Sequence, residues 1–138
     1  MYFTSSNESN FNNEDYVVHC FHSVEGFSKI GTYIGSGTDD GPMIACGFKP
    51  AWLMVKRVTT GGNEGWPIYD NVRGSINPNA KGIYANANGG DNDASGRYKD
   101  FLSNGFKIRG TSGEQNTDGV VYLYMAFAES PFLTANAK

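Results

Sequence analysis

The amino-acid sequence predicts an all-β fold, an antiparallel β-sandwich of jelly-roll-like architecture with about seven to nine short strands. Short runs of β-branched and aromatic residues alternate along the chain with turn residues, and the chain contains 18 Gly and 5 Pro. A helical spacing of apolar residues never persists over about three turns. The length of 138 residues suits one domain.

The chain opens with a polar segment, residues 1–14, which is rich in Asn and Ser. Such a segment buries too little apolar surface to order itself, so we interpret it as an N-terminal arm or linker. A single domain is then predicted over residues 15–138. Residues 98–102 fit either a short strand or one helical turn. The other predicted strands cover residues 16–22, 27–35, 43–48, 51–58, 66–70, 81–85, 105–109 and 120–127.

Three positions predict details of this sheet structure. Pro67 indicates that its strand lies at an edge, because proline has no N–H to give to a ladder. Asn104 followed by Gly105 predicts a two-residue hairpin with a type I′ turn, which needs positive φ angles. Trp52 lies in the most apolar run at the centre of the chain and is expected in the core.

Two cysteines, Cys20 and Cys46, lie inside predicted strands. We favour two buried thiols that behave as small apolar side chains. A disulfide is the alternative, because the sequence does not give their separation in space. Their spacing matches no metal-binding motif.

The distribution of charged and apolar residues argues against several classes of protein. The formal net charge is −3 and the basic residues are scattered, so no cluster is available for a row of phosphates and nucleic-acid binding is not expected. No apolar run reaches the length needed to insert into and span a bilayer. Residues 1–13 lack the basic and apolar regions of a signal peptide.

No catalytic motif is recognisable, so we expect a non-enzymatic protein without a cofactor. The acidic residues include no pair that a motif would select for glycoside hydrolysis. His19 and His22 lie three apart in a predicted strand, on opposite faces, and are interpreted as ordinary structural or surface residues. Asp91 and Asp93 in a Gly-rich loop are the better of two candidate cation sites, the other being at residues 39–40. In both loops we favour solvated turn residues.

One candidate ligand-binding patch combines aromatic and polar side chains. Trp66 and Tyr69 flank a proline near a polar loop, and Asp70 follows them. Aromatic faces stack on sugar rings while polar groups bind hydroxyls, so these three residues are the predicted ligand patch. The alternative is that Trp66 packs on the edge of the sandwich.

A segment near the end of the chain is similar in sequence pattern to a segment near its beginning. Residues 16–25 and residues 120–129 are both aromatic-rich β runs that end in a small apolar residue followed by Glu. This is the pattern expected at the end of a tandem array, where the strand that closes one unit leads into the next. Chance similarity between two strands of like composition is the alternative.

Five segments together resemble a family of repeated β-domains in structural proteins of tailed bacteriophages, notably phages of marine bacteria. The most specific is the closing Tyr-Met-Ala-Phe-Ala-Glu-Ser-Pro-Phe stretch at residues 124–132. In that family such an ending tends to mark the last unit of a series. This stretch belongs to a segment that begins at Tyr122. The other four segments are residues 22–33, Gly41-Pro42 with residues 47–57, residues 66–70, and residues 104–108.

The resemblance implies a setting and supplies no active site. It implies a structural or host-adhesion module of a tail fibre or appendage on the outer surface of the virion, made in the host cytoplasm. Other virion proteins are the expected partners, with self-association into a trimer as the default for a fibre and host surface glycan as a further ligand. Phe132 and Leu133 are the candidate interface residues. A capsid decoration protein and a carbohydrate-binding module are the alternatives, and a polysaccharide depolymerase is a more distant one.

Overall fold

The computed structural model describes residues 12–59, 65–74, 76–88, 92–93 and 96–131. The described chain confirms the predicted all-β antiparallel sandwich. It contains nine strands and no helix. The strands are β1 (Ser28–Ile34), β2 (Met43–Ala45), β3 (Pro50–Arg57), β4 (Pro67–Asp70), β5 (Lys81–Tyr84), β6 (Asn92–Asp93), β7 (Tyr98–Leu102), β8 (Gly105–Arg109) and β9 (Val121–Ala128).

Two antiparallel sheets form the sandwich. The large sheet has six strands in the order β1-β9-β3-β4-β5-β6, and the small sheet has three in the order β2-β8-β7. The last strand, β9, is therefore central and pairs with β1 on one side and with β3 on the other. A late strand of the chain thus lies between two early strands.

The core lies between the sheets and follows the period-two alternation of the strands. On β3 and β9 the inward side chains include Leu53, Val55, Tyr122 and Tyr124, all buried. They meet inward residues of the small sheet, such as Phe106, whose ring lies edge-on to Tyr124 with ring centroids 5.3 Å apart. No helix in the described ranges is long and apolar enough to cross a membrane.

The strand predicted at residues 16–22 is absent. Residues 14–23 adopt no regular structure and are exposed, and the first strand begins at Ser28. Strand-forming composition alone does not make a strand, because a strand exists only where its backbone finds a ladder partner. Residues 98–102, open between strand and helix in the sequence, form β7.

Three smaller predictions are corrected. Pro67 opens a strand that lies between β3 and β5, not at an edge; proline is tolerated at the first residue of a strand. The two-residue hairpin between β7 and β8 is confirmed by the pairing of Leu102 with Gly105. Its two loop residues are Ser103 and Asn104, one position earlier than the predicted Asn104 and Gly105. The turn is not type I′, because neither Ser103 nor Asn104 has positive φ. Trp52 is only half-buried and lies on the outer face of β3.

The cysteine prediction holds for one residue only. Cys46 is buried, as expected, but Cys20 is exposed, because the segment that carries it leaves the sandwich. Both thiols are free, so the alternative of a disulfide does not apply. Burial raises the pKa of the Cys46 thiol to about 11.

Candidate functional surface

An exposed segment without regular structure, residues 14–23, precedes the sandwich and is called the arm from here on. In residues 17–22 the fractional exposure of Val17 is 85%, that of Val18 60% and that of Phe21 57%. These residues make no backbone–backbone hydrogen bond to the rest of the described chain. Strand-forming apolar side chains are thus held in solvent, which costs free energy unless another surface covers them.

The arm is fixed where it joins the sandwich. The Ser28 hydroxyl donates to the carbonyl of His22 over 3.1 Å. The Phe21 ring lies edge-on to Phe127, with ring centroids 6.4 Å apart. The arm therefore leaves across the outer face of the large sheet, near the start of β1. His19 and His22 lie on it as exposed residues and are not on opposite faces of a strand.

Strand β1 is an edge of the large sheet, and its outward backbone groups can be assigned. Ala128 N–H donates to the Phe27 carbonyl and Gly35 N–H donates to the Val120 carbonyl. In the antiparallel ladder the odd-numbered residues of β1 therefore bond to β9, whereas the even-numbered residues direct their N–H and C=O groups away from the sheet.

The outward backbone groups in the first half of β1 are hydrogen-bonded, whereas those in the second half are open to a further strand. Ser28 exchanges backbone hydrogen bonds with Val24. The Ser23 hydroxyl accepts from Ile30 N–H at 3.0 Å and donates to the Ile30 carbonyl at 3.3 Å. Within the described chain, the outward N–H and C=O groups of Thr32 and Ile34 have no partner. The Ile34 side chain is also 62% exposed.

The outer face of the large sheet is largely apolar. Cross-strand partners share a face, so Ile30, Met125 and Met54 form one row and Phe127 and Trp52 form part of another. The Trp52 and Phe127 rings are 5.5 Å apart between centroids. Residues of this face in β3 and β9 are half-buried, so the face has partial cover and is not a bare hydrophobic surface.

The predicted ligand patch is not brought together. Trp66 is 39% exposed, and the Lys56 ammonium lies 5.5 Å from its ring centroid. Tyr69 points to the opposite face of β4 and is 1% exposed, so it cannot reach a surface ligand. The Asp70 carboxylate accepts from Val72 N–H and Arg73 N–H and pairs with the Arg73 side chain at 3.2 Å. Tyr69 is therefore corrected to a core residue, and glycan contact stays a prediction for Trp66 and Asp70.

The candidate cation loops are placed only in part. Asp40 pairs with Lys107 at 2.9 Å and with Arg109 at 2.8 Å. Its hydrogen bond to Lys107 lowers the pKa of the Asp40 carboxyl. The described residues include no group of three or more His, Cys, Asp or Glu able to hold a metal ion. Asp91 lies outside the described residues, as does the side chain of Asp93, and the interface candidates Phe132 and Leu133 also lie outside them.

Polar side chains that the sequence analysis missed are buried between the sheets. Lys99, Gln115 and Asn116 each have 0% exposure. Burial, with a further contribution from Arg97, lowers the pKa of Lys99 well below its ordinary value. Its amine donates to Gln115 and faces the Tyr69 ring. Alternation in β7 could have placed Lys99 inward with Phe101, but the spacing of residues 111–119 contains no comparable signal.

The described surface offers only shallow hollows. A hollow of about 460 Å³ borders Ser23, Lys29 and Cys46, and one of about 180 Å³ lies against Lys49, Asn71 and Glu129. In the second hollow, the Glu129 carboxylate forms an ion pair with Lys49 at 2.9 Å and accepts a hydrogen bond from the Asn71 amide at 2.6 Å. Its negative charge is therefore already paired.

Comparison with known proteins places the chain in a family. The model of a family described as "Domain of unknown function (DUF7483)" matches residues 1–131. The chain belongs to the DUF7483 family. The DUF7483 match covers the arm as well as the sandwich, so both belong to one family unit. No curated protein and no solved structure matches the chain.

Proposed function

We propose that this DUF7483 domain is a non-enzymatic structural module of a phage virion, with a structural or host-adhesion role in a tail fibre or appendage. Two observations carry the proposal: Val17, Val18 and Phe21 of the arm are exposed to solvent, and the far end of the edge strand β1 is open within the described chain. Exposed strand-forming residues next to an unpaired edge favour assembly over chemistry. The virion setting comes from the resemblance of five segments, which cover most of residues 16–138, to phage β-domains.

The organisation of the described surface supports a role that depends on shape. Several of its charged groups pair with one another: Asp40 with Lys107 and Arg109, and Glu129 with Lys49. A rigid sandwich with committed surface charges suits a building block whose loops vary without disturbing the core.

Localisation on the particle tests the virion assignment directly. An antibody raised against the purified domain should label particles produced by the phage or lysogen that encodes it, with label concentrated on the tail or its appendages. The same antibody pre-absorbed with the purified domain is the control. Particles that lack the protein by both labelling and mass spectrometry would overturn the proposal.

The mass of the full chain in solution, measured by light scattering after size exclusion, separates the two virion roles. A stable trimer favours the fibre. A capsid decoration protein is the second candidate, because the exposed arm could instead order on a shell surface. A monomer that assembles only on capsids, with label on the head, would replace the fibre proposal with this one.

A host-adhesion role is tested separately at Trp66, the exposed aromatic residue that directly precedes β4. If the module holds host surface glycan, a glycan array should detect binding that Trp66→Ala abolishes. Tyr69→Phe should leave that binding unchanged, because Tyr69 is buried. Equal binding by wild type and Trp66→Ala would exclude this aromatic from an adhesive site.

A further inference from the structure

We infer that the arm of one copy, centred on residues 17–22, adds as a β-strand to the open end of β1 in a second copy of the same chain. The juxtaposition that carries the inference lies within the described residues: the strand-forming residues 17–22 pair with no strand there, and neither does the outward edge of β1 at Thr32 and Ile34. The inference concerns how copies join, and it stands or falls independently of the virion assignment.

The acceptor is defined by backbone chemistry. Thr32 and Ile34 each present one N–H and one C=O group outward, so an added strand gains up to four ladder hydrogen bonds there. The edge ends at Ser36, whose N–H is taken by the Asn116 side chain at 2.8 Å. An added strand would also cover Ile34, a large apolar side chain left 62% exposed at an edge where proteins usually place charge or proline.

The donor matches the strand that β1 already binds. Residues 16–25 repeat the pattern of residues 120–129, which contain β9, the natural partner of β1. Val17 and Val18 favour extended backbone, and their exposure means that pairing would remove apolar surface from water. Donor and acceptor are present on every copy, so the required partner is always available.

The geometry of the arm favours a second copy over its own edge. Phe21 rests against Phe127, which pairs with Ser28 at the beginning of β1. Thr32 lies four residues further along β1, about 13 Å away. The Ser23 hydroxyl binds the outward N–H and C=O groups of Ile30, which lies between Ser28 and Thr32. The arm therefore does not continue along β1 of its own copy. Reciprocal exchange would close a dimer, whereas head-to-tail exchange would form a ring or an open array.

Proline substitution at the edge tests the acceptor. Thr32→Pro removes an outward N–H and leaves the ladder to β9 intact, because the N–H of Thr32 does not take part in that ladder. We expect wild type to assemble with rising concentration in analytical ultracentrifugation and Thr32→Pro to lose the assembled species. Thr32→Val, which keeps the N–H, is the matched control and should assemble as wild type does. Far-UV circular dichroism and thermal melting establish that each variant is folded.

Disulfide trapping identifies the donor and distinguishes exchange between copies from folding back within one copy. Cys20 is exposed on the arm, so Thr32→Cys and Ile34→Cys each place a second exposed thiol on the edge. Under mild oxidation we expect a covalent dimer on a non-reducing gel from at least one variant, and its loss when Cys20→Ser is added. A disulfide-closed monomer would overturn the inference in favour of the chain's own arm. A wild type that stays monomeric at its highest soluble concentration, with no covalent dimer from either variant, would also overturn it.

Discussion

The Lys99 amine donates to the Gln115 side-chain carbonyl over 2.9 Å in the space between the two sheets, where neither residue is exposed to solvent. Gln115 is itself held by its amide group, which donates to the Tyr98 carbonyl at 3.1 Å. The Lys99 amine also lies 2.6 Å from the centre of the Tyr69 ring. A lysine whose pKa is lowered by burial is thus built into the core as a hydrogen-bond donor.

This lysine should make stability rise with pH. Burial lowers the pKa of Lys99 in the folded state well below the ordinary value of 10.5 that it regains on unfolding. Between these values the unfolded chain holds a proton that the folded chain lacks, so raising the pH favours folding. The contribution is up to about 1.4 kcal/mol per pH unit. Below the folded pKa both states are protonated, and the dependence vanishes.

Urea unfolding at about pH 7.5 and about pH 8.5 measures this slope. Cys46, whose pKa is raised to about 11 in the folded state, begins to act in the opposite direction near the upper of these values, and both lysine variants share that contribution. Lys99→Met should remove the slope, whereas Lys81→Met, a change at an exposed lysine, should retain it. An unchanged slope in Lys99→Met would show that the buried amine keeps its proton.

Two buried tyrosines should respond oppositely to loss of the hydroxyl. Tyr69 O–H finds no hydrogen-bond partner in the described chain, so Tyr69→Phe should be neutral or stabilise by about 1 kcal/mol. Tyr122 O–H donates to the Gly113 carbonyl at 2.7 Å and accepts from Thr117 N–H at 2.9 Å. Tyr122→Phe should therefore destabilise by about 2 kcal/mol. Equal effects in chemical denaturation would contradict this distinction.

Asn116 should be among the most sensitive polar positions. Its side chain donates to the carbonyls of Thr38 at 2.7 Å and Gly110 at 2.8 Å, and accepts from Ser36 N–H at 2.8 Å. Asn116→Ala leaves these backbone groups without partners and should lower the free energy of unfolding by about 3 kcal/mol. Asn88→Ala, at an exposed loop position, should change it by less than about 0.5 kcal/mol. A small loss at Asn116 would mean that water replaces its bonds.

The two thiols should react at very different rates. Cys20 is exposed, whereas Cys46 is buried with its pKa raised to about 11, so little of it is thiolate near neutral pH. A thiol reagent should therefore modify one cysteine per folded chain quickly and the second only in denaturant. Peptide mapping should place the fast modification at Cys20. Rapid modification of Cys46 without denaturant would contradict its burial.

The fold class and most strands were predictable from sequence, because alternation and turn residues are local signals. Strand β3, for example, follows directly from the apolar run after Lys49-Pro50. Residues 16–22 carry the same kind of signal yet form no strand, since pairing depends on a partner edge that local composition does not encode. The prediction that Pro67 lies in an edge strand was wrong for the same reason.

The candidate surface was less predictable than the fold. Trp66 and Tyr69 are three apart, which on a strand places them on opposite faces, so alternation alone could have separated them. The sequence by itself determined an all-β chain with short strands, scattered charge and a strand-forming segment near its start. Only the tertiary structure decided that this segment is exposed and forms no strand, and that Lys99, Gln115 and Asn116 are buried. Both outcomes depend on contacts between residues far apart in the chain.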